Sequence, residues 1–359
     1  MAHSAAEIGR QLDSMREALA EAAVDQQYLL HPELTARYGP TGRAKCVKDT
    51  AYHLAYLAEA LAASRPALFS DYVAWAKVLL AEHGVPVEIL ADNLRAVSQV
   101  LRDRLAAEDA AAVCGYVDAA LAALPGMAAT IPSFIASNQP LTRLAEAYLK
   151  ALLACQRQTA SRMILDAVEG GTPIKDIYVH VFQQSQQEIG RLWQTNRITV
   201  AQEHYCTAAT QMIMSQLYPR IFAGPRINRL FVAACVGGDL HEIGMRMVAD
   251  FFEMDGWDTV FLGASVPGPD LIRTLQDRKP DVLGISVTLT AHVGAVRQMI
   301  SDIRATPDCR NVKILVGGYP FLIVPDLWKQ LDADGSCGDA QGAVHLANSL
   351  VASQGALRD

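Results

Sequence analysis

Asp239-Leu240-His241-Glu242-Ile243-Gly244 follows a short apolar run, Leu230 to Cys235, and precedes a segment of helical periodicity, Met245 to Phe252. Strand, loop and helix in that order make one unit of an α/β sheet, and open α/β sheets bind ligands at the carboxyl ends of their strands. The loop therefore carries a histidine where ligands bind, with an acid two residues before it and a glycine three after. A histidine whose second ring nitrogen is held by a carboxylate has a fixed tautomer and a more basic free nitrogen, which suits a metal ligand. Taken alone, the same triplet also reads as an Asx turn that opens a helix.

Working outward, apolar strands are expected near 229–235, 257–262, 281–287 and 312–317, alternating with helices. That alternation predicts a doubly wound parallel sheet with right-handed crossovers, of flavodoxin-like order. Two later strands close on Gly284-Ile285-Ser286-Val287-Thr288-Leu289-Thr290 and on Val316-Gly317-Gly318-Tyr319-Pro320. Small hydroxyl and glycine residues at these strand ends leave a deep slot in the sheet edge. Together, Asp239/His241/Gly244, Ser286/Thr288 and Gly317/Gly318 resemble the cobalamin-binding domain of methionine synthase and its relatives, over about residues 227 to 357. The resemblance implies that His241 is the lower cobalt ligand, with Asp239 its orienting partner. It also implies that the cofactor tail threads past the Ser/Thr and Gly-Gly residues. His292 stands where methionine synthase has the serine that completes the Asp–His hydrogen-bond chain, and it is either a helix-start residue or a tuner of His241.

The chain has 359 residues, 51% of them apolar, enough for two or three domains with real cores. A net charge of −7 argues against a nucleic-acid surface, which needs clustered Lys and Arg. No run of 18 apolar residues predicts a membrane span, and Met1 to Arg16 lacks the apolar centre of a signal peptide. Seven cysteines without a CxxC pair read as reduced thiols in a cytoplasmic protein.

Residues 1–125 read as all-helical, with helices at 4–24, 42–63, 66–83, 86–105 and 108–123. Pro66 and Pro86 near starts and Gly84 past an end follow the usual asymmetry. A loose stretch, 126–140, reads as a linker, 141–224 as a four-helix cap, and 225–359 as the sheet domain. Asp176 to Leu192 reads as one helix, and Thr199 with Gln202 as a capping box.

Trp193 is separated by nine residues from Glu203-His204. A bulky, flat upper ligand needs a ring to pack against and an acceptor for its ribose hydroxyls. A helical segment with this spacing before a cobalamin domain resembles the cap of the light-sensing cobalamin proteins related to the CarH-type repressor. That resemblance implies adenosylcobalamin, with Trp193, Glu203 and His204 around the adenosyl group. Where those repressors carry a histidine beside the tryptophan this chain has Gln194, a poor cobalt ligand, which leaves His180 or His204 as candidates for the light state. No basic DNA-binding module is recognisable in 1–125.

Residues 28 to 57 gather aromatic and basic side chains, including Tyr28, Arg43, Lys45, Cys46, Lys48, Tyr52, His53 and Tyr56. Lys45, Asp49, Tyr52, His53 and Tyr56 recur at three- and four-residue steps and are expected on one helix face. Such a face suits a flat tetrapyrrole with two propionates, or is a solvated basic patch over an ordinary core. A helical domain fused to this module resembles the photocobilins. That resemblance implies a globin-like domain holding biliverdin, with Arg43, Lys45, Lys48 and His53 as the expected contacts. Cys46 reads as a buried structural thiol or as the site of a thioether to the bilin.

The function expected is therefore a light sensor, not an enzyme, with two chromophores as its small-molecule partners. Its output would be light-dependent homo-oligomer assembly or a separate effector protein. The alternative is a corrinoid methyl carrier serving a methyltransferase. No Walker loop, nucleophile elbow or kinase signature is present.

Overall fold

The computed structural model describes residues 3–355. Five long helices open the chain: α1 Ala5–Leu30, α2 Glu33–Ala62, α3 Pro66–Glu82, α4 Val87–Arg104 and α5 Ala107–Ala123. Ser4 and Glu7 form a reciprocal capping box at the start of α1. Leu12, Leu19 and Val24 of α1 are buried, as are Leu54, Leu57 and Leu61 of α2, and the two helices pack together along their lengths. The sequence reading ended the first helix at 24 and began the second at 42. Both in fact extend toward each other, and the break signal there marks a kink inside α2. Gly39 sits at φ 61°, a left-handed conformation open to glycine, and Pro40 behind it can donate no backbone bond.

Four helical segments follow: α6 Thr142–Leu153, α7 Arg157–Glu169, α8 Ile174–Ile177 running through a π-turn (Tyr178–Gln183) into α9 Gln184–Gln194, and α10 Val200–Gln216, with a short α11 Tyr218–Ile221. The single helix expected from Asp176 to Leu192 thus contains one widened turn. Thr199 and Gln202 do form the capping box at α10. The stretch 126–140 is tied to this bundle: the Phe134 amide donates to Glu188 at 2.9 Å, and the Thr142 hydroxyl donates to the Ala136 and Gln139 carbonyls.

The rest is a five-stranded parallel sheet in the order β2-β1-β3-β4-β5, with β1 Leu230–Cys235, β2 Asp258–Phe261, β3 Val282–Ser286, β4 Lys313–Gly317 and β5 Gly335–Ser336. Helices α12 Ile243–Met254, α13 Gly268–Arg278, α14 Val293–Ala305, α15 Tyr319–Ile323 and α16 Ala340–Gly355 connect and follow the strands. This is the flavodoxin-like order expected, and the sequence direction reverses between β1 and β3, where such folds bind ligands. The two-residue β5 is too short to leave a periodic signal. Gly284 is obligatory in β3, because a Cβ there would come within 2.5 Å of the Phe231 ring.

Two compact units emerge. The first runs to Ala129 and includes Val287–Gln298 and Tyr319–Asp332; the second holds Thr130–Ser286, Met299–Gly318 and the chain from Ala333. Within the second unit, bundle and sheet share one core, in which Tyr148, Phe182 and Ile213 join Phe231, Phe251 and Trp257. Among the described residues, no helix is long and apolar enough to cross a membrane.

Candidate functional site

The second unit assembles the His241 loop. Register pairs Cys235 with Ser286 and Ser286 with Gly317, so three small residues form one row at the carboxyl ends of β1, β3 and β4. Asp239, on the loop leaving β1, is 1% exposed. Its Oδ1 accepts the His241 backbone N–H at 3.0 Å and lies 2.8 Å from ring Nδ1. Both readings of the triplet therefore hold at once: the carboxylate makes the Asx turn and orients the imidazole. With Nδ1 donating, Nε2 keeps its lone pair for a metal. The Asp239 hydrogen bond raises the His241 pKa above its ordinary value against the effect of burial, and Glu203 on α10 is near enough to add to the rise.

Glu203 thus lies by the His241 loop. Its Oε1 accepts from Thr207 at 2.9 Å and its Oε2 is 3.5 Å from His204, whose side chain is 75% exposed. One turn further on, Gln211 donates to Glu242 at 2.7 Å and ties α10 to the loop a second time. Trp193 is half-buried near the end of α9, and Gln194 is buried beside it. His180 is half-buried on the π-turn.

Strand ends leave room. A Cβ at Gly244 would meet nothing within 4 Å, and one at Gly317 only the Cys337 carbonyl at 4.0 Å, while Gly318 takes φ 112°. An orienting acid, an imidazole with a free nitrogen and a cleared row of small residues fit a corrin held from below by His241. Thr288 and His292 belong to the segment that joins the first unit. There the His292 Nδ1 is buried without a hydrogen-bond partner.

In the first unit the four residues expected to contact a bilin have different surroundings. Arg43 donates to Glu21 at 2.8 Å and Asp25 at 2.6 Å on α1, whereas His53 is buried against α3, 2.8 Å from the Tyr72 hydroxyl. Burial pushes His53 down to about 4, so it is a neutral ring and no cationic partner for a propionate. Lys45 and Lys48 are exposed. Helical steps align positions, but the side facing α3 was decided by packing. Cys46 is held as a thiol: its Sγ reaches Gln27 at 3.6 Å, and burial pushes it up to about 11. The sequence reading missed an aromatic stack in which Tyr56 lies 3.8 Å from Tyr72 and Tyr72 lies 6.2 Å from Trp75.

Comparison with known proteins agrees with this geometry. Residues 229–347 match the B12 binding domain family and residues 144–218 a second family of that description. Residues 2–124 match the family described as Phycobilisome protein. Dimethylamine corrinoid protein 1 of Methanosarcina acetivorans is 24% identical over 211 residues, which is 56% of this chain and 94% of that protein. The HTH-type transcriptional repressor CarH of Myxococcus xanthus is 28% identical over 179 residues, 48% of this chain and 58% of the repressor. The solved monomethylamine corrinoid protein of Methanosarcina barkeri shares the fold, with a TM-score of 0.52 at 18% identity over 58% of this chain and 99% of that one. The chain is a cobalamin-binding protein built from a helical B12-binding segment and a B12-binding sheet domain. Its relatives include both corrinoid proteins and HTH-type transcriptional repressors; this chain spans just over half the length of the CarH repressor.

Proposed function

We propose that the chain is a light sensor that holds adenosylcobalamin between the His241 loop and the α9–α10 hairpin, with a bilin such as biliverdin as second chromophore on the first unit. The observation that carries this reading is the union, in one chain, of two B12-binding segments with a Phycobilisome-type helical segment. A methyl carrier has no use for a second light-absorbing group. When bound, adenosylcobalamin supplies a cobalt–carbon bond that light breaks. His241 would hold the cobalt, because Asp239 fixes its ring and leaves Nε2 free. Glu203 would accept hydrogen bonds from ribose hydroxyls and Trp193 would offer a ring face, contacts that require the upper ligand. Their loss is the differential free energy that biases the cap, and through it an assembly state or an effector protein.

For the bilin, the stack of Tyr56, Tyr72 and Trp75 with exposed Tyr52 offers a flat aromatic shelf, and it replaces Arg43 and His53 as the expected contact. Lys45 and Lys48 remain available to propionates. The second reading, a methyl carrier, is favoured by the 94% coverage of the dimethylamine corrinoid protein.

An absorption spectrum separates the two. Adenosylcobalamin-loaded chain is expected to change spectrum after green light, and biliverdin added to the same sample is expected to give a red band. A spectrum unaltered by light would leave the carrier reading standing.

A further inference from the structure

Helices α9 and α10 form a hairpin whose tip carries Trp193, Glu203 and the connecting residues 195–199. Its base lies at Tyr178, just before α9, and at Tyr218, just after α10. Each is 15 positions from its tip residue, or about 22 Å along a helix at 1.5 Å per residue. Both base residues converge on one helix, α12, which starts at the His241 loop.

The convergence is a chain of polar groups with consistent donors. Arg246 of α12 donates to the Ser215 hydroxyl at 2.7 Å and to the Tyr218 hydroxyl at 3.1 Å. Tyr178 donates to Asp250, one turn further along the same helix, at 2.7 Å, and Tyr218 lies beside that carboxylate. The carboxylate is 4% exposed, and the Tyr178 ring is wedged edge-on to Phe251 and Phe182. The π-turn that begins at Tyr178 lies at this contact, and such widened turns cluster at functional sites.

We infer that Tyr178, Tyr218, Arg246 and Asp250 are the pivot of the α9–α10 hairpin, positioning residues that set how Trp193 and Glu203 stand over the His241 loop. A tilt of about 15° at this base moves the tip by about 6 Å, given the helix rise. The pivot rests on the proposed function only for what the tip holds, because the four contacts exist without any cofactor. Burial pushes Asp250 up to about 6, raised further by Glu253 on its own helix and opposed by Tyr178, Tyr218 and Arg246. Opening the base to water would return the carboxyl toward its ordinary value. Opening therefore becomes easier as pH rises from about 4 to about 6, by up to about a hundredfold, and is flat above that.

The test is amide hydrogen exchange on the full chain, ligand-free and loaded with adenosylcobalamin in the dark. The Y178F/Y218F double variant keeps both rings and removes only the two hydroxyls, the donor to Asp250 and the acceptor of Arg246. It is expected to speed exchange in Arg191–Gln202 by ten- to a hundredfold at pH 7, with β1 and β3 unchanged, since hydrogen bonds to a charged group are worth about that much. Release of bound cobalamin is expected to accelerate in step. Asp250→Asn keeps an acceptor and is expected to abolish the pH dependence. Tip exchange within twofold of the parent, or acceleration spread equally over the strands, would overturn the pivot. A chain that took up no cobalamin would sink the cofactor reading instead, while the ligand-free exchange would still decide the pivot.

Discussion

Replacing Asp239 by alanine tests the centre of the site most directly. The carboxylate serves two donors at once, the His241 amide at 3.0 Å and its ring nitrogen at 2.8 Å. Each hydrogen bond to a charged group contributes about 1.5–3 kcal/mol. Loss of the partner behind a metal-bound histidine typically lowers metal affinity by about 10- to 100-fold, or about 1.4–2.7 kcal/mol. The lower figure applies if the loop holds its shape without the Asx turn, the higher if His241 swings free. Asp239→Asn separates these, because its amide oxygen can still accept the backbone N–H but brings no charge. Titration of each variant with hydroxocobalamin, followed by absorbance, gives the affinity, and NMR of ligand-free protein gives the His241 pKa. We expect Asp239→Ala to weaken binding by 10- to 100-fold, Asp239→Asn by less, and both to lower the His241 pKa, since the Asp239 bond is the main cause of its rise. Affinity within twofold of the parent in Asp239→Ala would refute the argument that Asp239 orients His241 for the metal.

Two further predictions concern the frame. Gly284→Ala places a methyl 2.5 Å from the Phe231 ring, which is stacked 3.7 Å from Phe252 and has nowhere to move. It is expected to cost about 1–3 kcal/mol in urea denaturation, and a cost under about 0.5 kcal/mol would show that the ring relaxes. In the first unit, burial pushes Glu59 up to about 7, with Arg297, Asp13 and the Gly294 amide around it. A raised carboxyl contributes stability below its unfolded pKa that is lost as pH rises through the folded value, here from about 4.5 to about 7. Glu59→Gln should therefore remove up to about 3 kcal/mol of that pH-dependent loss, visible as a flatter stability profile between pH 5 and pH 8. An unchanged profile would mean that Glu59 is hydrated.

The strand–loop–helix order around Asp239-x-His241-x-x-Gly244 was legible because each signal is local. The apolar run, the turn chemistry and the helical period lie within about 25 residues, and a carboxylate two positions from a histidine can reach its ring through an Asx turn. Four of the five strands and the capping box at Thr199 followed from such patterns. The two-residue β5 and the π-turn did not, because neither leaves a period in the residues.

Sequence alone determined which groups are available: a held imidazole, a row of small residues, and Trp193 with Glu203-His204 at cap spacing. Tertiary structure decided which of them meet. It buried His53 against Tyr72 and turned Arg43 to the acids of α1, partners that helical steps do not indicate. It also brought Tyr178 and Tyr218, 40 positions apart, onto Asp250 and Arg246 of the one helix α12. Such long-range pairing depends on how packed helices close over a shared core. No local period of the chain records that.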